Sequence, residues 1–529
     1  MKPESKILFG HQSFRRASVF AIFLLILIVL VLLYPQIPYG FFTDEAKIGL
    51  TGWEFAKLDF SNFRLPFFYL HYSQYLLGAL PPISVAPIVS LFGLSDFTIR
   101  VASSIYAFMG LCVAYATMRL LKFRYSLLAV ILLLSTPIFY HLSRVQFGQT
   151  PSFLLIQLSL LIYYYLAISK SAKWYVYCIV GVISAIGCYG YSAYLAQIPL
   201  FMATWMIVEF ITATNKREII KRVLVIFVSF CVIYSGVGYA RLTYPGFMTR
   251  LNEKQKNSQK TSLVTKIIQN YPKYYSPSYL FQTGEIGQPG AFVTRHSVTG
   301  SGIVYLAFVP LLFCCVAGIW FLRKQNKPQY RLVITSLIWV FITPMADIFT
   351  TSQQSPPYTI SMYAVSFGLV YVLGFGLESM FHIPSKIGMK NKYIPIALLI
   401  LFMILYQIET TRFFNNYRKY PQVSSDFWGW QWGPKVIIEY FQSQSDSYDA
   451  MYIEGIFNDP SSFIPIYTIA KPCPKCSFGN IEKYDPTKRQ LFAVNPNTYN
   501  NLPNISEFKI IKVFQYPDNT EAFYIISKK

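Results

Sequence analysis

The chain has 529 residues, of which 54% are hydrophobic and only 13% charged, and its formal net charge is +22. That balance excludes an ordinary soluble protein of this size. It also argues against nucleic acid as a partner. Lys and Arg lie in short clusters between apolar runs rather than on one basic face.

In chain order, Lys2, Lys6, Arg15 and Arg16 precede an apolar run over residues 17–33. No small-residue cleavage site follows it, so the run reads as an uncleaved first span. Apolar runs of spanning length continue at about 98–118, 126–142, 152–169, 174–191, 194–213, 223–240, 301–322, 332–347, 359–380 and 393–410. With the first, that makes about 11 transmembrane helices. The basic clusters Arg119/Lys122/Arg124, Lys170/Lys173, Lys216/Arg217/Lys221/Arg222, Arg323/Lys324/Lys327/Arg331 and Lys386/Lys390/Lys392 then fall on one side. By the positive-inside rule that side is cytoplasmic. The N-terminus is therefore expected in the cytoplasm and the C-terminal region outside, in a multi-pass protein of the plasma membrane. Residues 76–94 carry Pro81, Pro82 and Pro87 and read as an interfacial or re-entrant piece.

Long outer loops are expected at 35–97 and 241–300, the second containing Lys254, Lys256 and Lys260. Residues 1–410 form the membrane core. Residues 411–529 lose the membrane pattern: 434–442 reads as an amphipathic helix, and 450–454, 508–514 and 522–526 read as strands. The fold class is an α-helical polytopic membrane protein with a small extracytoplasmic α/β C-terminal domain.

Six of the eight cysteines lie in or at the ends of apolar segments and read as packing residues. Cys473 and Cys476 form a CxxC in the polar region, with no histidine near in sequence. A local disulfide or a free pair is favoured over zinc, and no metal ligand set is expected. No GxGxxG, Walker loop, HExxH or GxSxG occurs in a convincing context. The tyrosines at 189, 191 and 194 read first as interfacial aromatics.

Acids are scarce, which draws notice to Asp44-Glu45, about ten residues beyond the first span. A carboxylate at the membrane edge suits a general base acting on a substrate whose lipid tail stays in the bilayer. The same position suits an acid that caps a helix. Arg295-His296 precedes the eighth span, where a planar guanidinium fork can hold a phosphate, or a snorkelling Arg can sit. Arg144 lies at an outer span end, against the positive-inside trend. His141 and Arg100 are outer-edge residues that suit either a substrate contact or plain packing.

Taken in order, these segments resemble the GT-C membrane glycosyltransferases, in the branch of the protein O-mannosyltransferases and lipid A aminoarabinose transferases. The likeness is greatest to bacterial family 39 glycosyltransferases. It is carried by Gly40-Phe41-Phe42-Thr43-Asp44-Glu45-Ala46, Phe92-Gly93-Leu94 through Arg100, Ser143-Arg144-Val145, Tyr274 through Gly284, Arg295-His296-Ser297-Val298 and Trp430-Gln431-Trp432-Gly433. The resemblance implies inverting transfer of a hexosyl or pentosyl group from a polyprenyl-phosphate-sugar donor to a protein, lipid or glycan acceptor, among membrane lipids. Asp44 would be the base and Glu45 its support. Arg144, Arg295, His296, Arg100 and His141 would contact the donor phosphate or substrate, and a divalent metal near Asp44/Glu45 stays open. The sequence departs from the family pattern at Leu80-Pro81-Pro82, Gly148, Tyr358 and Ser361. Two other readings stand beside this one: a transporter or flippase for a lipid-linked glycan, and a catalytically lapsed glycan- or lipid-binding relative.

Overall fold

The computed structural model describes residues 3–61, 63–64, 69–72, 75–169, 173–243, 263–289, 291, 293–322, 327–350, 357–386, 393–423, 425, 429–457 and 460–529. Lys2, Lys170, Lys254, Lys256, Lys260, Arg323, Lys324, Lys390 and Lys392, named above, lie outside the described residues.

The chain opens with α1 (Pro3–Leu32) and α2 (Thr43–Ala56). A small antiparallel sheet follows, β1 (Phe63–Arg64), β2 (Tyr69–Tyr72) and β3 (Tyr75–Gly78), and then α3 (Leu80–Phe92). The bundle continues through α4 (Asp96–Leu120), α5 (Ser126–Ser135), α6 (Pro137–Leu142), α7 (Gln149–Ser169), α8 (Cys178–Gly187), α9 (Tyr194–Thr212) and α10 (Lys216–Thr243). It is completed by α11 (Leu263–Tyr274), α12 (Phe308–Leu322), α13 (Lys327–Thr350), α14 (Thr359–Met362), α15 (Ser366–Lys386) and α16 (Tyr393–Val423).

Each expected span overlaps a helix or a helical pair, but the 301–322 run is helical only from Phe308. Among the described residues, six helical stretches are long and apolar enough to cross a membrane. In the stretch over 359–384 an 18-residue window is buried throughout, so α14 and α15 form the centre of the bundle. The 126–142 span is broken into α5 and α6, because Pro137 has no N–H to continue the ladder. The 76–94 segment becomes β3 and α3. At 1.5 Å per residue α3 is only about 20 Å long, too short to cross a bilayer. Tyr189 and Tyr194, expected at the membrane surface, are instead buried; the Tyr189 hydroxyl donates to the Ile233 carbonyl at 2.8 Å. Packing against neighbouring helices outweighs the interfacial preference there.

Helix α16 runs on to Val423, past the end of its apolar run. Phe413, Tyr417 and Tyr420, spaced at four and three residues, are all buried against the bundle and prolong the helix on one face. The soluble fold begins after it. It contains α17 (Pro434–Ser443), β4 (Ala450–Ile453), α18 (Phe463–Thr468), β5 (Cys476–Phe478), β6 (Gln490–Val494), α19 (Pro496–Asn500), β7 (Phe508–Gln515) and β8 (Glu521–Lys528). The strand order is β5-β4-β6-β8-β7. β4 is parallel to β5 and β6, and β8 is antiparallel to β6 and β7. β6 is buried along its whole length, so it lacks the alternation of a half-buried strand. Cys473 and Cys476 form a disulfide.

This domain does not hang free. Phe41, Ala46, Val85 and Ile99 of the α2–α4 region share one apolar core with Ile437, Phe441, Met451 and Phe523. Lys435 reaches Asp96 at 3.2 Å across the same boundary. At Gly40 the approach is so close that a Cβ would lie 2.0 Å from the Trp430 carbonyl oxygen. No side chain larger than hydrogen fits there.

Candidate active site

Helix α2 starts at Thr43, so Asp44 and Glu45 occupy its first turn, where the helix dipole favours negative charge. The two acids have opposite surroundings. Glu45 is fully buried. Its oxygens accept from Arg100 Nε at 3.0 Å and Nη2 at 2.8 Å, and from the Gln146 backbone N–H at 3.1 Å. Arg100 also donates to the carbonyls of Pro38 at 2.5 Å and Gly40 at 2.8 Å. Four guanidinium hydrogen bonds are thus made inside the protein. Arg100 and Glu45 are committed to each other and to the turn before α2.

Asp44 is only half-buried, and among the described residues no group donates a hydrogen bond to its carboxylate. Its charge acts on the imidazole of His296. Arg295 lies beside it in the chain, its guanidinium carbon 3.7 Å from the centre of the Phe42 ring. Phe42 immediately precedes α2, so this cation–π contact brings Arg295 to the helix start.

His296 is buried between Tyr358, with ring centres 4.9 Å apart, and Phe147, at 6.0 Å. Its Nδ1 lies 3.6 Å from Glu285 Oε2. Burial pushes the His296 pKa well below its ordinary value, Arg295 adds to that, and Asp44 opposes it. The same burial pushes the Glu285 carboxyl up to about 7, against the Thr359 N–H, which donates to it at 2.9 Å, and the charge of Arg295. Glu285 was not singled out from the sequence. It sits in a Gly-rich loop, and nothing in its spacing distinguishes it from a solvated acid.

Arg144 is buried and donates to the Tyr140 and Tyr417 hydroxyls, each at 3.2 Å, and to the Tyr34 carbonyl at 2.7 Å. With Arg100, Phe97 and Pro35 it lines a crevice of about 10 Å³, room for roughly one water. His141 Nε2 pairs with the Arg295 carbonyl oxygen at 2.8 Å, so it holds the backbone of Arg295. Trp430 closes this group, stacked on Phe147 at 5.9 Å and set over Arg100 at 5.4 Å.

The candidate residues therefore gather in one neighbourhood but divide by role. Arg100, Glu45, His141 and Arg144 have hydrogen bonds within the protein that fix the loops. Asp44, with Arg295 and His296 near it, keeps a carboxylate open to a ligand. Two family departures have local reasons. Gly148 has φ +88°, and a Cβ there would lie 2.2 Å from the Gly190 carbonyl oxygen. Ser361 donates to Asp347 at 3.1 Å.

Residues 81–235 match the family model described as dolichyl-phosphate-mannose-protein mannosyltransferase. ArnT from Cupriavidus metallidurans in the apo state is 12% identical, with a TM-score of 0.53 over 98% of this chain and 98% of that one. The same protein bound to undecaprenyl phosphate is 10% identical, with a TM-score of 0.54 over 97% and 98%. No curated protein sequence matches the chain. The fold is that of the GT-C membrane glycosyltransferases, and the chain is a multi-pass membrane protein.

Proposed function

We propose that this protein is an inverting transferase that moves a sugar from a polyprenyl-phosphate carrier to an acceptor hydroxyl at the outer face of the membrane. One observation carries the reading: Asp44 stands open in the first turn of α2 while its neighbour Glu45 is locked by Arg100. The undecaprenyl phosphate bound to ArnT supports a lipid-phosphate donor. In the step envisaged, the acceptor oxygen attacks the anomeric carbon. The bond from that carbon to the phosphate oxygen breaks, and the electron pair leaves with the phosphate. The hydroxyl proton passes to Asp44. Arg295, at the same helix start, opposes the charge growing on the phosphate. If a divalent ion takes part, Asp44 is the carboxylate left to share it with a donor phosphate; no step here is routed through one. The acceptor is a protein, lipid or glycan.

Asp44→Asn keeps the shape and removes the base. Transfer from a radiolabelled polyprenyl-phosphate sugar, normalised to folded protein, should fall roughly 10²–10⁴-fold. Normal specific activity in that variant ends the reading. Lower yield with unchanged specific activity would make Asp44 a helix cap instead.

A further inference from the structure

A cavity of about 340 Å³ lies in the C-terminal domain, lined by Ser425, Gln431, Trp432, Phe457, Asn495 and Tyr516 with Ile456. Its volume falls within the range of small-molecule sites. The rings of Trp432 and Tyr516 stand 5.8 Å apart, tilted by 54°, and both are half-exposed. Phe457 backs this aromatic wall and is itself buried.

The polar groups are amides and a hydroxyl. Asn495 donates one side-chain N–H to Glu454 at 3.0 Å and accepts from the Thr498 N–H at 2.8 Å. A second N–H and a second lone pair remain on that amide. No lining side chain is charged. The lining thus suits a neutral ligand with apolar faces and hydroxyl edges, and it suits neither a phosphate nor an acyl chain.

The loop that builds the wall is strained. Gln431 is a buried non-glycine residue at φ +50°, in the left-handed region. That turn sends Trp430 into the candidate active site and Trp432 into the cavity. One short segment thereby touches both.

We propose that this cavity is a saccharide-binding site, taking one neutral sugar ring on the Trp432–Tyr516 wall, with its hydroxyls on Asn495 and Gln431. That the ring belongs to a glycan acceptor rests on the transferase reading. That the cavity takes a sugar does not.

The test is saturation-transfer NMR on the full-length protein in nanodiscs free of glycoside detergents. The probes are the methyl glycosides of mannose, glucose, galactose, N-acetylglucosamine and arabinose. At least one should receive saturation from wild-type protein and equally from Asp44→Asn. Trp432→Ala and Tyr516→Leu, each checked for folding by thermal melting, should bind roughly 2–10-fold more weakly. The inference is overturned if none of the five probes binds. It is overturned equally if both aromatic variants bind as wild type does, or if Asp44→Asn abolishes the signal. Because no turnover is measured, the result is independent of the role of Asp44.

Discussion

Glu285 and His296 are buried together, and each favours its neutral form in the fold, the acid by holding its proton and the imidazole by releasing it. The two act on stability in opposite directions. A carboxyl whose folded pKa is raised to about 7 contributes stability that is present below about pH 4.5 and lost as pH climbs through 7. An imidazole with a depressed pKa contributes above its ordinary titration range and loses that contribution as pH falls. Glu285→Gln removes the first effect, which changes stability by at most about 1.4 kcal/mol for each step of one in pH. The variant should gain on wild type in melting temperature as pH is raised from 5 to 8. Parallel curves over that range would refute the assignment. As a candidate, Asp44 stands out in the sequence because acids are scarce, whereas the position of Arg295 suits a snorkelling residue and only the resemblance points it to a site. Glu285 does not stand out, because it is distinguished by burial and by a hydrogen bond from Thr359, more than seventy residues away in the chain.

The Arg100–Glu45 pair joins α2 to α4 and both to the Pro38–Gly40 turn. A buried pair of this kind is costly to break on one side only, about 3–5 kcal/mol, because the remaining charge is stranded. Arg100→Met and Glu45→Gln should each lower the melting temperature in detergent markedly. The double variant should fall short of the sum of the two losses. Strict additivity would show that the pair is not coupled. Of the elements themselves, the membrane helices were legible, since apolar run length is a strong signal. So were α17, from its amphipathic spacing, and β4, β7 and β8, from short runs of apolar and aromatic residues between polar turns. β5 is too short to signal itself, with three residues, and β6 is apolar on both faces, so neither period marks it. The length of α16 depends on three aromatic contacts that only the folded bundle supplies.

At the scale of the whole molecule, the open face of Asp44, Arg295 and the C-terminal domain lie on one side of the bundle. By the positive-inside rule, the charge clusters in the sequence predict that this side faces the exterior. In a background freed of the exposed Cys178 and Cys231, cysteines placed at Leu58 and Glu439 should react with an impermeant maleimide on intact cells. A cysteine at Lys216 should react only after lysis, and the reverse pattern would sink the orientation. The close seat of Gly40 beneath the Trp430 carbonyl also bears on how the protein is made. The Gly40 turn leaves the ribosome early, but the residue that closes over it follows about 400 residues later. At common synthesis speeds that interval is roughly 20–80 s. Throughout it, α2 waits without its cover. A nascent chain therefore carries Asp44 long before it carries the Trp430 loop that completes the surroundings of that helix start.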